Sequence, residues 1–456
     1  MGEGVLSPST PTPTPEPGAS GAGPAAGQAA AGQAGGAGWS REGGRLRCDG
    51  VDAARLAEAV GTPAYVYSAA AIREQFSRLA RALGGVRHRV HYSVKANSNL
   101  AVLRLLRELG AGVDIVSGGE LYRARMAGFT GADVVFSGVG KTERELAEAV
   151  EADVLLVNVE SEGELRLLDR VAGGLGRPAP VALRVNPEVS VETPHPYTRT
   201  GERGNKFGIP YDEALDTARL AQSLPNVRLV GLDMHVGSQV TQLEPYELGL
   251  VRLLELLGVL RTAGADELRY LDIGGGLAVT YENETEPDLA GFASLIAPLV
   301  APTGLELLIE PGRFLVGNAG VLLTRVLYRK RSGGKDYVIT DAGMTELLRP
   351  SHYNAYHRIE SASPNGRHSV VSVVGPVCES GDFFALDREV DDAQPGDLLA
   401  VHSAGAYGFV MSSNYNSRPR VAEVMVDGDR YAVVTERELY EDLVRQERLD
   451  PEWRSA

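Results

Sequence analysis

Between residues 89 and 315, short β-rich runs alternate with longer stretches of helical period, and this alternation constrains the fold more than any other feature of the chain. The strand candidates are RVHYSV (89–94), GVDIV (112–116), DVVFSG (133–138), DVLLVNV (153–159), VALRVN (181–186), LVGLDMHV (229–236), YLDIGG (270–275) and LELLIE (305–310). Between them lie amphipathic stretches such as AVLRLLREL, RELAEAV and LGLVRLLELLGVLRTAG, whose apolar residues recur at helical spacing. Ser117 to Glu120 has capping-box spacing at the start of one of them. Eight β-then-α units in succession predict a (β/α)8 barrel, with a doubly wound open sheet as the structural alternative.

After about residue 315 the helical period fades. Runs such as VLLTRVLYRK, HSVVSVVG, DLLAVHS and VAEVMV, separated by Gly, Asp and Pro, predict a C-terminal, mostly β, barrel-like domain over residues 316–456. Residues 43–69, with RLRCDG and TPAYVYS, precede the barrel (70–315) and are expected to pair with that β domain. Residues 1–42 are rich in Pro, Ala, Gly, Ser and Thr. They hold little that could offset chain entropy by burial, and read as a disordered tail.

The formal charge of −15 argues against nucleic acid or an anionic membrane surface as a partner. The two cysteines, Cys48 and Cys378, form no disulfide framework and suit a reduced compartment. No run approaches the ~18–20 apolar residues of a membrane span. The N-terminus lacks the basic and apolar regions of a secretory signal. A soluble cytoplasmic protein is expected.

Active sites of (β/α)8 barrels sit at the C-terminal ends of the strands. Here those ends carry Lys95, Asp114, Ser137, Asn158, Arg184, His235, Ser238, Asp272, Gly274–Gly276 and Glu310–Arg313. Lys95 ends an apolar strand, where partial desolvation is expected to lower its amine pKa, as Schiff-base chemistry with an aldehyde needs. The glycine triplet lets backbone N–H groups approach an anion closely, and loops after strands seven and eight commonly form the phosphate site of such barrels. The Glu310 carboxylate could keep a pyridine nitrogen protonated, making the ring an electron sink; the alternative is an ion pair with Arg313 or another arginine. His235 either stacks on a planar ring or is an ordinary core histidine. His195, His352 and His357 have no Cys or carboxylate companions at metal-ligand spacing, so no metal is assigned.

Taken in order, YSVKAN, HVGSQ, DIGGG, EPGR, GPVCESGD and GAYG resemble the fold-type III pyridoxal-phosphate decarboxylases from about Pro63 to Arg420. The resemblance implies an alanine-racemase-type barrel with a C-terminal β domain, and pyridoxal 5'-phosphate as cofactor. It implies that Lys95 carries the cofactor, His235 stacks on its ring and Glu310 pairs with the pyridinium. Ser238, Gly275, Gly276 and the turn Glu310–Pro311–Gly312–Arg313 would hold the phosphate, and Tyr407 would touch cofactor and substrate. Cys378 would be the proton donor, contributed with Glu379 to the opposite subunit's site of a homodimer.

Arg349-Pro-Ser-His-Tyr353-Asn-Ala-Tyr-His357 is similar to the RP-x-x-Y-x-x-x-H element of the diaminopimelate decarboxylases. That likeness assigns a distal substrate carboxylate to Arg313, Arg349 and Tyr353, and the distal ammonium to Glu379. Planar, charge-assisted hydrogen bonds suit guanidinium to this role. Asn205-Lys-Phe-Gly208 resembles the family's S-K-F-G loop with Asn in place of Ser. Decarboxylation of meso-diaminopimelate to L-lysine is the expected activity. The alternatives are a sister decarboxylase acting on carboxynorspermidine or a carrier-linked glutamyl group, a racemase on the same fold, or a non-catalytic cofactor-binding homologue.

Overall fold

The computed structural model describes residues 38–189, 195, 201 and 204–455. Three short strands, β1 (Trp39–Glu42), β2 (Arg45–Cys48) and β3 (Val51–Asp52), form a small antiparallel sheet, followed by β4 (Ala64–Ser68). The expected low-complexity tail thus stops short of residue 42. Trp39 is buried and its indole N–H donates to the Ala319 carbonyl (3.2 Å), which anchors a strand that composition alone gave to the tail. Residues 1–37 of that tail lie outside the described residues.

The barrel strands follow as β5 (His88–Ser93), β6 (Gly112–Ile115), β7 (Val134–Phe136), β8 (Leu156–Val159), β9 (Ala179–Arg184), β10 (Val227–Asp233), β11 (Tyr270–Asp272) and β12 (Glu306–Ile309). They pair in parallel, and β12 returns to β5 with Leu307 opposite His88, so the barrel closes and leaves no edge. Closure excludes the open-sheet alternative. Val135, Leu156, Ala182, Val230 and Leu308, each from a different barrel strand, form their own buried cluster. This is the layered filling of a packed barrel.

Helices between the strands bury one face each. In Leu100–Glu108 the buried side chains are Val102, Leu103, Leu105 and Leu106, and Asn99 caps the helix by accepting from the Ala101 N–H at 2.9 Å. Burying each leucine is worth about 1.5–3 kcal/mol. Ser117 caps the helix Gly118–Met126 through the Glu120 N–H. The Glu120 carboxylate, however, accepts from Val116 N–H rather than from the cap residue, so the expected capping box is only half formed.

The C-terminal strands are β13 (Gly320–Ser332), β14 (Lys335–Thr340), β15 (Ile359–Ser361), β16 (His368–Val374), β17 (Phe383–Asp391), β18 (Leu398–Val401), β19 (Ala422–Asp427) and β20 (Arg430–Thr435). Strand β4 inserts between β13 and β19, so a segment preceding the barrel becomes part of the β sheet. This sheet reaches the barrel mouth beside Lys95. Tyr407 N–H donates to the Ala96 carbonyl (2.8 Å), the Asn97 amide donates to the Gly405 carbonyl (3.1 Å), and the Asn99 amide donates to Glu423 (2.9 Å).

Candidate active site

The strand ends meet at one cavity of about 410 Å3, lined by Lys95, His235, Ser238, Arg313, Arg349, Tyr353 and Tyr407 together with His195, Gln239, Tyr281, Glu282, Glu284 and residues 354–356. Gly275, Gly276, Glu310, Pro311 and Gly312 form the turns that support it. The turn after β12 is fastened beneath the Lys95 turn, since Ser93 N–H donates to the Pro311 carbonyl (3.2 Å) and Ser93 Oγ donates to the Glu310 carbonyl (2.9 Å). A Cβ on Gly312 would stand 3.0 Å from both Ala96 Cβ and Ser93 Cβ.

Lys95 Nζ donates to Asp114 Oδ2 at 2.8 Å, and Ser93 Oγ donates to the same oxygen at 2.8 Å. Here the structure corrects the sequence reading. Burial alone would lower the Lys95 pKa, but the charges of Asp114, Glu310 and Tyr407 outweigh it and raise the amine above the usual lysine range. Lys95 Nζ is thus held on Asp114, which is fully buried.

Glu310 is not paired with Arg313. Its Oε1 accepts from Ser137 Oγ and from the Asn158 amide, both at 3.2 Å. Glu310, Asp233 and Asp272 bring carboxylate oxygens within 4.8 Å of one another, a buried acidic trio that the histidine spacings gave no sign of. Burial raises all three: Asp272 to about 6, with the charge of Asp114 adding to it, and Asp233 and Glu310, which Asp272 also repels, well above the usual carboxylate range. Such a site favours a positive or proton-bearing partner.

Gly274 has φ +67° and Gly276 φ +102°, backbone that suits glycine. A Cβ on Gly275 would fall 2.1 Å from the Glu310 carbonyl, and one on Gly276 2.4 Å from the Gly237 carbonyl. Gly275 N–H donates to His235 Nδ1 at 3.1 Å, which leaves the imidazole proton on Nε2. Burial, with Arg184 and Lys95 nearby, holds His235 neutral by lowering its pKa. A neutral, fixed imidazole presents a flat face rather than a charge.

Arg313 and Arg349 converge on a residue to which the sequence gave no role. Both donate to the Tyr281 hydroxyl, at 2.5 and 2.7 Å, and Arg313 also donates to Ser238 Oγ at 3.1 Å. The Arg313 guanidinium lies 4.7 Å over the Tyr407 ring. Tyr353 meets His195 and His352 edge-on at 5.6 and 4.5 Å. Cys378 and Glu379 are exposed and do not line the cavity, and Cys378 N–H donates to Asn416 Oδ1 (3.1 Å). Most residues of the segment before Asn205-Lys-Phe-Gly208 lie outside the described residues, but the Gly208 N–H donates to Glu160 Oε2 (2.9 Å).

The residues present fit pyridoxal phosphate: an amine for the aldehyde, a buried acidic trio for a protonated ring nitrogen, a flat neutral imidazole, and a glycine turn that side chains would fill. Residues 69–317 match the family described as "Pyridoxal-dependent decarboxylase, pyridoxal binding domain". The chain is 50% identical over 408 residues to the diaminopimelate decarboxylase of Pseudomonas aeruginosa, covering 89% of this chain and 98% of that one. It is 46% identical over 403 residues to that of Aquifex aeolicus, covering 88% and 95%. Among solved structures it is similar to diaminopimelate decarboxylase from Helicobacter pylori complexed with L-lysine, with TM-score 0.83, 40% identity and coverage of 86% and 98%. It is likewise similar to that from M. jannaschii in co-complex with L-lysine, with TM-score 0.86, 37% identity and coverage of 92% and 99%.

Proposed function

The chain belongs to the diaminopimelate decarboxylases, within the pyridoxal-dependent decarboxylases, and from that premise we propose how its residues divide the conversion of meso-2,6-diaminopimelate to L-lysine and carbon dioxide. Bound pyridoxal phosphate supplies an electron sink for the pair left at the substrate α-carbon when carbon dioxide departs. Lys95, His235, Ser238, Gly275, Gly276, Glu310, Pro311, Gly312, Arg313 and Tyr407 hold it. Asp114 keeps the Lys95 amine oriented and takes or returns its proton, across the 2.8 Å contact seen here.

Arg313 and Arg349, with Tyr353, bind the carboxylate that is not lost. The sheet that brings Tyr407 over Arg313 closes one side of the cavity against water. Cys378 delivers a proton to the α-carbon after carbon dioxide leaves, and Glu379 receives the distal ammonium. Both lie on the surface of the single chain and outside the lining of its cavity, which supports their serving the partner's cavity in a homodimer. Two free cysteines, and no described helix long and apolar enough to cross a membrane, support a cytoplasmic setting.

The observation that carries the substrate assignment is the pair of buried guanidinium groups, neither of them in an ion pair with a carboxylate among the described residues, in the cavity that holds Lys95. An amino acid with a distal carboxylate completes them, whereas ornithine or lysine offers a cation at the same place. Initial rates of carbon dioxide release from meso-diaminopimelate, L-lysine and L-ornithine test the assignment. Diaminopimelate should be preferred by at least about 100-fold in kcat/KM, as expected when buried polar groups are left unpaired by the wrong substrate. Comparable turnover of ornithine would overturn it.

A further inference from the structure

Tyr281 lies five residues beyond the glycine turn and 9% exposed, with its hydroxyl at the meeting point of two guanidinium groups. Arg313 and Arg349 are themselves 8% and 7% exposed. No carboxylate among the described residues forms an ion pair with either. Two buried cations this close repel one another, and each lowers the other's tendency to stay charged. The phenol oxygen accepts from both, and the Arg349 guanidinium also stacks 4.7 Å over the Tyr281 ring.

The ring that does this is held from both sides. Tyr281 N–H donates to Glu284 Oε2 at 2.8 Å. The His357 ring meets Tyr281 edge-on at 5.4 Å, and His357 Nδ1 donates to the His402 carbonyl at 2.8 Å. The Nε atoms of both arginines are buried without a partner among the described residues. Burial would raise the phenol's pKa, but the two arginines outweigh it and bring it below the usual range.

We infer that Tyr281 is a positioning residue that prebuilds Arg313 and Arg349 into one carboxylate clamp and so sets the affinity for the retained carboxylate of substrate and product. This rests on the proposed function for the identity of the ligand, but not for the geometry. With Tyr281 in place the guanidinium groups pay no reorganisation when the carboxylate arrives. Without its hydroxyl they repel and swing apart, while Lys95 and Glu310 keep their contacts with Asp114, Ser137 and Asn158.

The test uses the cofactor-loaded Tyr281→Phe protein and two ligands read by the cofactor's absorbance: L-lysine, which keeps the carboxylate, and cadaverine, which has none. Tyr281→Phe should weaken lysine by roughly ten- to a hundredfold, the range for a hydrogen bond to a charged group, and leave cadaverine unchanged. KM for diaminopimelate should rise with it while kcat is largely retained. On an Arg349→Ala background the same substitution should cost little more, because the two act as one unit. Equal weakening of both ligands, or full additivity with Arg349→Ala, would overturn the inference. Should Tyr281→Phe fail to load cofactor, the wild-type protein decides: lysine should shift the near-ultraviolet tyrosine band and cadaverine should not. A wild-type protein that discriminates these ligands as expected yet releases no carbon dioxide from diaminopimelate would overturn the proposed function and leave the clamp standing.

Discussion

Lys95→Ala and Cys378→Ala proteins, each nearly inactive alone, should regain activity when their subunits are allowed to exchange. The reason is positional. Lys95 lines the cavity, whereas Cys378 is exposed on the loop between β16 and β17 and does not line it. Removing a general acid costs roughly 10² to 10⁴ in rate, so Cys378→Ala is expected to retain its cofactor and lose turnover. After one-to-one mixing and random pairing, about half the dimers are mixed, and each mixed dimer holds one complete site of two. Carbon dioxide release should therefore climb towards about a quarter of the wild-type rate. Exchange is followed independently by the mass of differently tagged subunits. If tagged subunits exchange and no activity returns, Cys378 is not contributed across the interface.

Reduction with borohydride followed by peptide mapping should place the pyridoxyl label on Lys95; a label on Lys141, whose amine is engaged by Glu164 and two carbonyls, would contradict the assignment. Gly276→Ala should weaken cofactor binding by tenfold or more, about 1.4 kcal/mol, because its Cβ would press on the Gly237 carbonyl at 2.4 Å; equilibrium dialysis reads this, and unchanged affinity would remove the turn from the phosphate site. Burial pushes the His91 pKa down from 6.5 to about 4. Unfolding frees the ring to take a proton below pH 6.5, so its stabilisation is complete above that pH and is lost as pH falls through about 4. His91→Asn should flatten the fall in melting temperature over that window, and an unchanged slope would show that other groups carry it.

The eight barrel strands were legible because a strand covered on both faces must be apolar, and the polar residues that interrupt each run mark where it surfaces at the mouth. Lys95, His235 and Glu310 could be read that way. The sign of the Lys95 shift could not, because Asp114 sits 19 residues away and only the β5–β6 pairing brings its carboxylate to the amine. Tyr281 escaped for a similar reason. Nothing in GLAVTY distinguishes a surface tyrosine from one clamped by two arginines, and Arg349 arrives from 68 residues downstream. Trp39 shows the opposite limit: a single aromatic residue anchors β1 through a carbonyl 280 residues away, below the reach of any compositional reading.

The most direct measurement is the mass balance of the cofactor-loaded protein with meso-diaminopimelate as sole substrate. Carbon dioxide and L-lysine should appear in equal amounts, and Lys95→Ala should produce neither while remaining folded. Diaminopimelate recovered unchanged, or lost without an equivalent of lysine, would contradict the account.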